Sequence, residues 1–414
     1  MKIRGIAPAL GLAALAAFAL SACEQSGLAH RSLAPIPSET VALMGQVGTS
    51  PEAPMLIRAY KKEAELEIWK MRSDGRYVHL KTFPMCRWSG QLGPKRRQGD
   101  RQVPEGFYAI GPAQMNPNSN YYLSFNVGYP NALDRALGHT GGDIMVHGAC
   151  SSAGCFSMTD KQIAEIYAIA RSSLAGGQRA IQMQSFPFKM TAENLAKHRL
   201  DPNIDFWKQL KEGSDHFEVT FQEPQVAFCN RRYVFNAAGA AHLDPDAACP
   251  PLKQDPQIAQ AVAEKSAQDE LKIARLAKNG VKPVRVVYRD GGQHPAFAAR
   301  VSEVSRPETI VPPTEIVLDE KPSNASGETA AQTAPKSAVM SSAAKAADRN
   351  RPAAHVIAMV PLRSDRRELS ALAAADSTQV NSAKRGVRSQ KDAWGGDIPT
   401  PPASIGARKS AVVH

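Results

Sequence analysis

The chain has 414 residues, a formal net charge of +11 and an aromatic content of 6%. That length leaves room for two or three domains. After Phe297, however, the only aromatic residue is Trp394, and a segment without large apolar side chains cannot offset the entropy of ordering. The positive balance suits an anionic neighbour, but no nucleic-acid motif is present, and the N-terminus described next is that of an exported protein, so a nucleic-acid partner is not expected.

Lys2 and Arg4 precede an Ala/Leu-rich run from Ile6 to Leu20 that ends in Leu20-Ser21-Ala22-Cys23. About 15 apolar residues are too few for a membrane span, which needs roughly 20, and suit a signal peptide. Small residues followed by cysteine look like a bacterial lipobox, with Cys23 lipidated as the mature N-terminus. The expectation is a periplasmic protein, lipid-anchored to a bacterial membrane. Residues 1–23 are then the signal peptide and 24–51, rich in Ser, Pro and Ala, a linker.

A β-rich block follows. Leu66, Ile68 and Trp69 lead into the turn Ser73-Asp74-Gly75-Arg76, with Tyr77, Val78 and Leu80 beyond it, which predicts a hairpin. Further strands are expected at Gly106–Ile110, Tyr122–Tyr129, Ile144–His147 and Ala180–Phe186. Thr159-Asp160 caps a predicted helix carrying Ile163, Ile166, Tyr167 and Ala170 on one face and ending at Gly176-Gly177. Helical patterns recur near Ala192–His198, Ile204–Lys211 and Gln257–Ala277, with a β segment over His216–Asn236 and a strand at Val284–Tyr288. From residue 301 to 414 no periodicity persists, and that stretch is expected to be a disordered basic tail. The domain reading is therefore 52–190 for the main domain and 191–300 for a smaller β/α extension.

Of the six cysteines, Cys23 is assigned to lipid, leaving Cys86, Cys150, Cys155, Cys229 and Cys249 in an oxidising compartment. An odd number leaves at least one thiol unpaired. Cys229 and Cys249 can close a loop of about 20 residues, worth roughly 3 kcal/mol.

The chemistry centres on Asp143–Met158. Ile144-Met145-Val146 is a buried-strand run that delivers His147 to its end, and eight residues later a Ser-Ala-Gly turn presents Cys155. An imidazole within reach of a thiol can take its proton and generate a thiolate. Gly154 permits a positive φ, so the N–H groups of Gly154 and Cys155 are candidates to face a developing oxyanion. The competing reading makes His147 a strand-end histidine and Cys150–Cys155 a local disulfide or metal pair, although one His with Cys-x4-Cys lacks a fourth zinc ligand. No metal or cofactor is expected. His139, in a Gly-rich turn, is the weaker candidate base. Asp100 and Glu105 suit turn or substrate-lining roles, and Lys95-Arg96-Arg97 is either a solvated face or an attractor for an anionic peptide. Tyr121 and Tyr122 suit the core or the rim of a site. Cys150 is assigned to structure, paired with Cys86.

The stretch resembles the L,D-transpeptidase (YkuD) family, and most closely its YafK-like subgroup. The resemblance rests on Ser89-Gly-Gln-Leu-Gly93-Pro94-Lys95, Gln98-Gly99-Asp100, Pro104-Glu105-Gly106-Phe107-Tyr108, Leu123–Pro130 and Ile144–Met158. It covers roughly 54–188, under half the chain. It implies a mainly β, YkuD-type sandwich with a few helices. By the same resemblance Cys155 is the nucleophile and His147 the base, oriented by the backbone carbonyl of Gly148. Ser152, Tyr122 and Lys95 are then expected to bind substrate. Three features depart from the pattern: Ala153 stands where most members have His, Ser157 where Arg is frequent, and the loop between His147 and Ser152 is short.

The implied reaction is acyl transfer on peptidoglycan stem peptides through a thioester. It cross-links the wall or attaches a wall-linked protein. Hydrolysis, trimming stems or releasing such a protein, is the first alternative. A non-catalytic, lipid-anchored wall tether is the second.

Overall fold

The computed structural model describes residues 31–239 and 243–319. The expected signal peptide, lipidation site and most of the basic tail lie outside the described residues. The main sheet has five strands in the order β3-β2-β1-β9-β4. They are β1 (Met55–Tyr60), β2 (Glu65–Met71), β3 (Tyr77–Pro84), β4 (Gly106–Ile110) and β9 (Ile181–Phe186). β2 and β3 form the predicted hairpin, closed by Arg72 N–H donating to Arg76 O at 2.9 Å. β1 and β9 run parallel at the centre and are buried along their whole length, as central strands covered on both faces must be.

The second sheet carries the site. Its order is β5 (Met115–Asn116), β6 (Ser124–Asn126), β7 (Met145–His147), β8 (Phe156–Ser157), with β7 and β8 parallel. Ile57 and Ile110 from the first sheet and Phe125 and Val146 from the second belong to one buried cluster. The long helix α3 (Asp160–Ala175) adds Ile163, Ile166 and Ile169 to it. Thr159 caps α3, its hydroxyl accepting from Gln162 N–H at 3.3 Å.

The remaining elements depart from the expectations in four ways. First, residues 31–51 are no mere linker: α1 (Ser38–Gln46) buries Thr40 and Met44, and Thr40 donates to Glu165 at 2.5 Å. Ser/Pro/Ala composition hid the helix because few of its residues carry the packing. Second, the β segment expected from His216 is largely helical. α5 (Ile204–Thr220) runs through it and ends at Phe221 in the left-handed region, leaving only the hairpin β10 (Val226–Cys229) and β11 (Arg232–Phe235). Third, α4 (Ala192–Lys197) and the 23-residue α6 (Pro256–Lys278), both expected, together with α2 (Ala132–Ala136), which was not, make the described chain a mixed α and β protein rather than mainly β. The short pair β12 (Ala237–Ala238) and β13 (Lys253–Gln254) precedes α6.

Fourth, the chain does not lose its structure at 301. β14 (Val284–Val287) pairs antiparallel with β15 (Thr314–Val317), and residues 290–309 lie across the turn that carries Cys155. Here polar side chains, not apolar periodicity, hold the segment. The extension also shares the main core, contributing Trp207, Tyr233, Phe235, Val284 and Tyr288.

Candidate active site

His147 ends β7, where Ile144 and Val146 anchor the strand in the core. The imidazole is 3% exposed, and its Nδ1 lies 2.7 Å from Gly148 O. A carbonyl only accepts, so Nδ1 carries the hydrogen and Nε2 is left with its lone pair free to accept a proton. Burial pushes the His147 pKa below the usual imidazole value, and the Gly148 carbonyl only partly opposes this. Gly148 is required by contact: a Cβ there would meet Asp160 Oδ1 at 2.5 Å and Tyr121 O at 2.9 Å. The Tyr121 ring lies against the imidazole, centroids 4.6 Å apart.

β8 pairs with β7 so that Val146 faces Phe156 and His147 faces Ser157. Carried back one residue, Cys155 stands opposite Met145, and Met145 and His147 share one face because side chains alternate along a strand. Cys155 is the free cysteine among the described residues, since Cys86–Cys150 and Cys229–Cys249 are disulfide-bonded. Its Sγ accepts from Met145 N–H at 3.5 Å and approaches Asp143 O at 3.9 Å, and neither contact is to His147. Burial raises the thiol pKa, while the Met145 N–H and the positive charge of Lys95 pull it down. Both shifts favour a neutral thiol beside a neutral imidazole at rest.

The turn is held by Ser152, whose hydroxyl donates to Cys155 O at 2.7 Å and accepts from Ser89 Oγ at 2.7 Å. It also accepts from the N–H groups of Gly154 (3.3 Å) and Cys155 (3.1 Å). The N–H of Gly154, expected to face an oxyanion, is therefore already partnered, as is that of Cys155. Gly154 has φ +127° and lies against the Arg101 backbone, its nearest atom 3.5 Å from where a Cβ would stand. From outside the turn, Ser305 Oγ accepts from Ser152 N–H at 3.0 Å, and Arg306 Nη2 donates to Ser152 O at 2.7 Å.

Other expected residues fall elsewhere. Lys95 is buried and spent on Asp100 (2.5 Å) and Arg97 O (3.0 Å), so it is no exposed attractor, although its charge reaches Cys155. Tyr122 lies under the Arg31 guanidinium at 5.0 Å, and its neighbour Tyr121 is the one that touches His147. Glu105 is a buried structural node, bonded to Lys61, Gly93 N–H and Trp207 Nε1. His139 pairs with Asp134 at 3.4 Å. Ser157 is fully buried and donates to Ser151 O at 2.5 Å. Ser305, Arg306 and Asp290 gave no sequence signal, because a polar strap without periodicity reads like a tail.

A cavity of about 670 Å³ opens between α5 and α6, but it shares no lining residue with this constellation. It is lined in part by the Lys211–Asp215–Asp269 ion network. Among the described residues no group of three or more His, Cys, Asp or Glu is arranged to hold a metal.

The family model for the YkuD L,D-transpeptidase catalytic domain matches residues 62–176. "Putative L,D-transpeptidase YafK" of Escherichia coli K12 is 42% identical over 182 residues, 44% of this chain and 74% of that protein. The chain belongs to the YkuD L,D-transpeptidase family. The O157:H7 strain's YafK matches to the same extent. Among solved structures, the helical cell shape determining protein Pgp2 of Campylobacter jejuni has 16% identity and a TM-score of 0.26, covering 46% of this chain and 80% of that one. Bdellovibrio bacteriovorus Bd1075 has 16% identity and a TM-score of 0.25, covering 43% and 78%. His147, Gly148, Ser152 and Cys155 all fall inside the segment that matches the L,D-transpeptidase model, whereas Asp290, Ser305 and Arg306 fall outside it.

Proposed function

We propose that this L,D-transpeptidase family member acts on peptidoglycan stem peptides through a thioester on Cys155. The observation that carries the reading is that the one unpaired thiol among the described residues is on the same sheet face as an imidazole whose Nε2 is the accepting nitrogen. Nε2 of His147 takes the thiol proton as sulfur attacks the carbonyl of the third-position diamino acid in a tetrapeptide stem. The C–S bond forms, the C–N bond to D-alanine breaks, and the imidazolium returns its proton to the departing amine. An amine from another stem, or from a protein lysine, then attacks the thioester. The new C–N bond forms and the C–S bond breaks, and His147 takes the amine's proton and passes it to the departing sulfur, which restores the thiol.

The test incubates purified sacculi with the enzyme and follows muropeptides by mass. New dimers are expected, together with a carbapenem adduct on Cys155 that vanishes in Cys155→Ala. Released tripeptide without dimers would replace transfer by hydrolysis. An adduct on another residue, or full activity without Cys155, would refute the mechanism.

We further propose that the protein sits in the periplasm on a lipid anchor at Cys23. Two acyl chains give the stable anchoring that one does not. Unchanged membrane partitioning of Cys23→Ser would end that reading.

A further inference from the structure

Beside the Cys155 turn, three guanidinium groups converge on one carboxylate. Asp290 Oδ2 is 3.5 Å from Arg87 Nη2, 3.5 Å from Arg101 Nε, and hydrogen-bonded to Arg306 Nη1. Its Oδ1 is occupied by Gly90 N–H at 3.0 Å. Glu308 is the other acidic group acting on this cluster. Three cations against two anions leave a positive surplus, and such a surplus in a partly desolvated place draws a further anion.

The three arginines are not equivalent. Arg87 is fully buried with a hydrogen bond from each of its nitrogens, to Ser305 O, Trp88 O and Thr309 Oγ1. Arg306 keeps part of its head in solvent, with 30% of the side chain exposed, while gripping Ser152 O. Arg101 is 42% exposed, its Nε is buried without a hydrogen bond, and no hydrogen bond of its side chain occurs among the described residues. Its backbone abuts Gly154, one residue from the thiol. Arg101 and Arg306 both hold left-handed backbone, at φ +57° and +53°. Arginine rarely adopts that conformation, and it persists where the surroundings enforce it.

We propose that Arg101 and Arg306, gathered round Asp290, form the subsite that takes the terminal carboxylate of the stem peptide. The inference rests on the reading of Cys155 as the group that attacks that peptide. A carboxylate one residue beyond the attacked carbonyl would receive the unspent donors of Arg101 in the planar geometry that suits it, with Arg306 supplying the second charge. A neutral amide in its place would offer one acceptor instead of two, turn its NH2 toward the second donor, and carry no charge.

The test measures binding by calorimetry to the full-length Cys155→Ala protein, which cannot turn over. The ligands are one tetrapeptide stem with a free D-alanine carboxylate and the same stem amidated there. The acid is expected to bind about ten- to a hundredfold tighter, the range for a charge-assisted pair. Adding Arg101→Gln should cut that preference to roughly threefold or less with the melting temperature unchanged, because Arg101 makes no hydrogen bond that the fold would lose. Equal binding of acid and amide, no binding of either, or a preference that survives Arg101→Gln overturns the proposal. A preserved preference in a protein whose intact Cys155 forms no acyl adduct would instead sink the catalytic reading and leave the subsite standing.

Discussion

Ending the chain after Ser305 rather than after Asp319 should separate the strap from everything C-terminal to it. The shorter chain loses Arg306, and with it the bonds to Ser152 O and Asp290. It also loses the Thr309 hydroxyl that satisfies the buried Arg87, and the β15 partner of β14. Two charge-assisted bonds at about 1.5–3 kcal/mol each give about 3–6 kcal/mol, before counting the orphaned Arg87 head or the exposure of Val284 and Val286. At roughly 2–4 °C per kcal/mol for a domain of this size, the melting temperature should fall by on the order of 10 °C. Carbapenem acylation of Cys155 should slow as well, because Ser152 holds both the carbonyl and the N–H of Cys155. The chain ending at Asp319 keeps every described contact and should match the full-length protein in both measurements. Scanning fluorimetry and intact-mass kinetics on the two truncations decide the matter. If the Ser305-terminated chain melts and acylates like the full-length protein, the strap does not hold the site and the bonds traced from Arg306 are idle.

Cys150→Ala opens the Cys86–Cys150 bridge, whose partners are 64 residues apart. The loop-entropy estimate is about 4 kcal/mol, to be read from urea midpoints, with Cys155 still reactive to iodoacetamide. In kcat/KM against pH, activity should rise through an inflection below the ordinary imidazole value of about 6.5, because burial lowers the His147 pKa and the neutral ring is the base. The raised thiol pKa should make resting alkylation by iodoacetamide still climb above pH 9, and an alkylation plateau near neutrality would contradict it. Burial pushes Glu223 up to about 7. Its raised folded value means that the native state binds the extra proton, so stability falls as pH rises from the unfolded value near 4.3 through 7. Glu223→Gln should therefore raise the melting temperature at pH 8 and change it little at pH 4, and the reverse ranking would refute the burial argument.

What was legible in the sequence is what apolar periodicity and local turn chemistry encode. β4 appears at its expected bounds, and α3 and α6 within a residue or so, because each carries a cap or a regular apolar stripe. The placement of His147 at a strand end and of Cys155 on the turn leading into the neighbouring strand was also legible, from the buried run Ile144-Met145-Val146 and the Ser-Ala-Gly turn. Illegible were contacts made by polar side chains over long separations. Arg306 to Ser152 spans 154 residues, and nothing local in Ser305-Arg306-Pro307 distinguishes it from the stretch that follows. Lys95 was misplaced for a related reason. A basic triplet reads as surface, yet Asp100, five residues on, takes the Lys95 charge inward. The Gly154 N–H was assigned to an oxyanion from backbone freedom alone, without the competing hydroxyl of Ser152.

Taken together, these contacts make the resting site self-satisfied. Cys155 Sγ takes the Met145 N–H, the two turn N–H groups share Ser152 Oγ, and the His147 hydrogen is committed to Gly148. Burial keeps thiol and imidazole both neutral. A thiolate is the form that oxidants attack, so a thiol held protonated is spared in the oxidising compartment proposed for this chain. In the proposed mechanism the substrate supplies what the resting site lacks. A carbonyl oxygen gaining negative charge is a stronger acceptor than a neutral hydroxyl already crowded by three donors, and it can draw the Gly154 and Cys155 N–H groups from Ser152. As sulfur becomes bonded to carbon its need for the Met145 N–H falls, and the proton it sheds has His147 Nε2 as its acceptor. The positive charge of Lys95, the cation that acts on Cys155, then stabilises the anionic intermediate more than the neutral ground state. Binding energy so placed lowers the barrier rather than deepening the resting well.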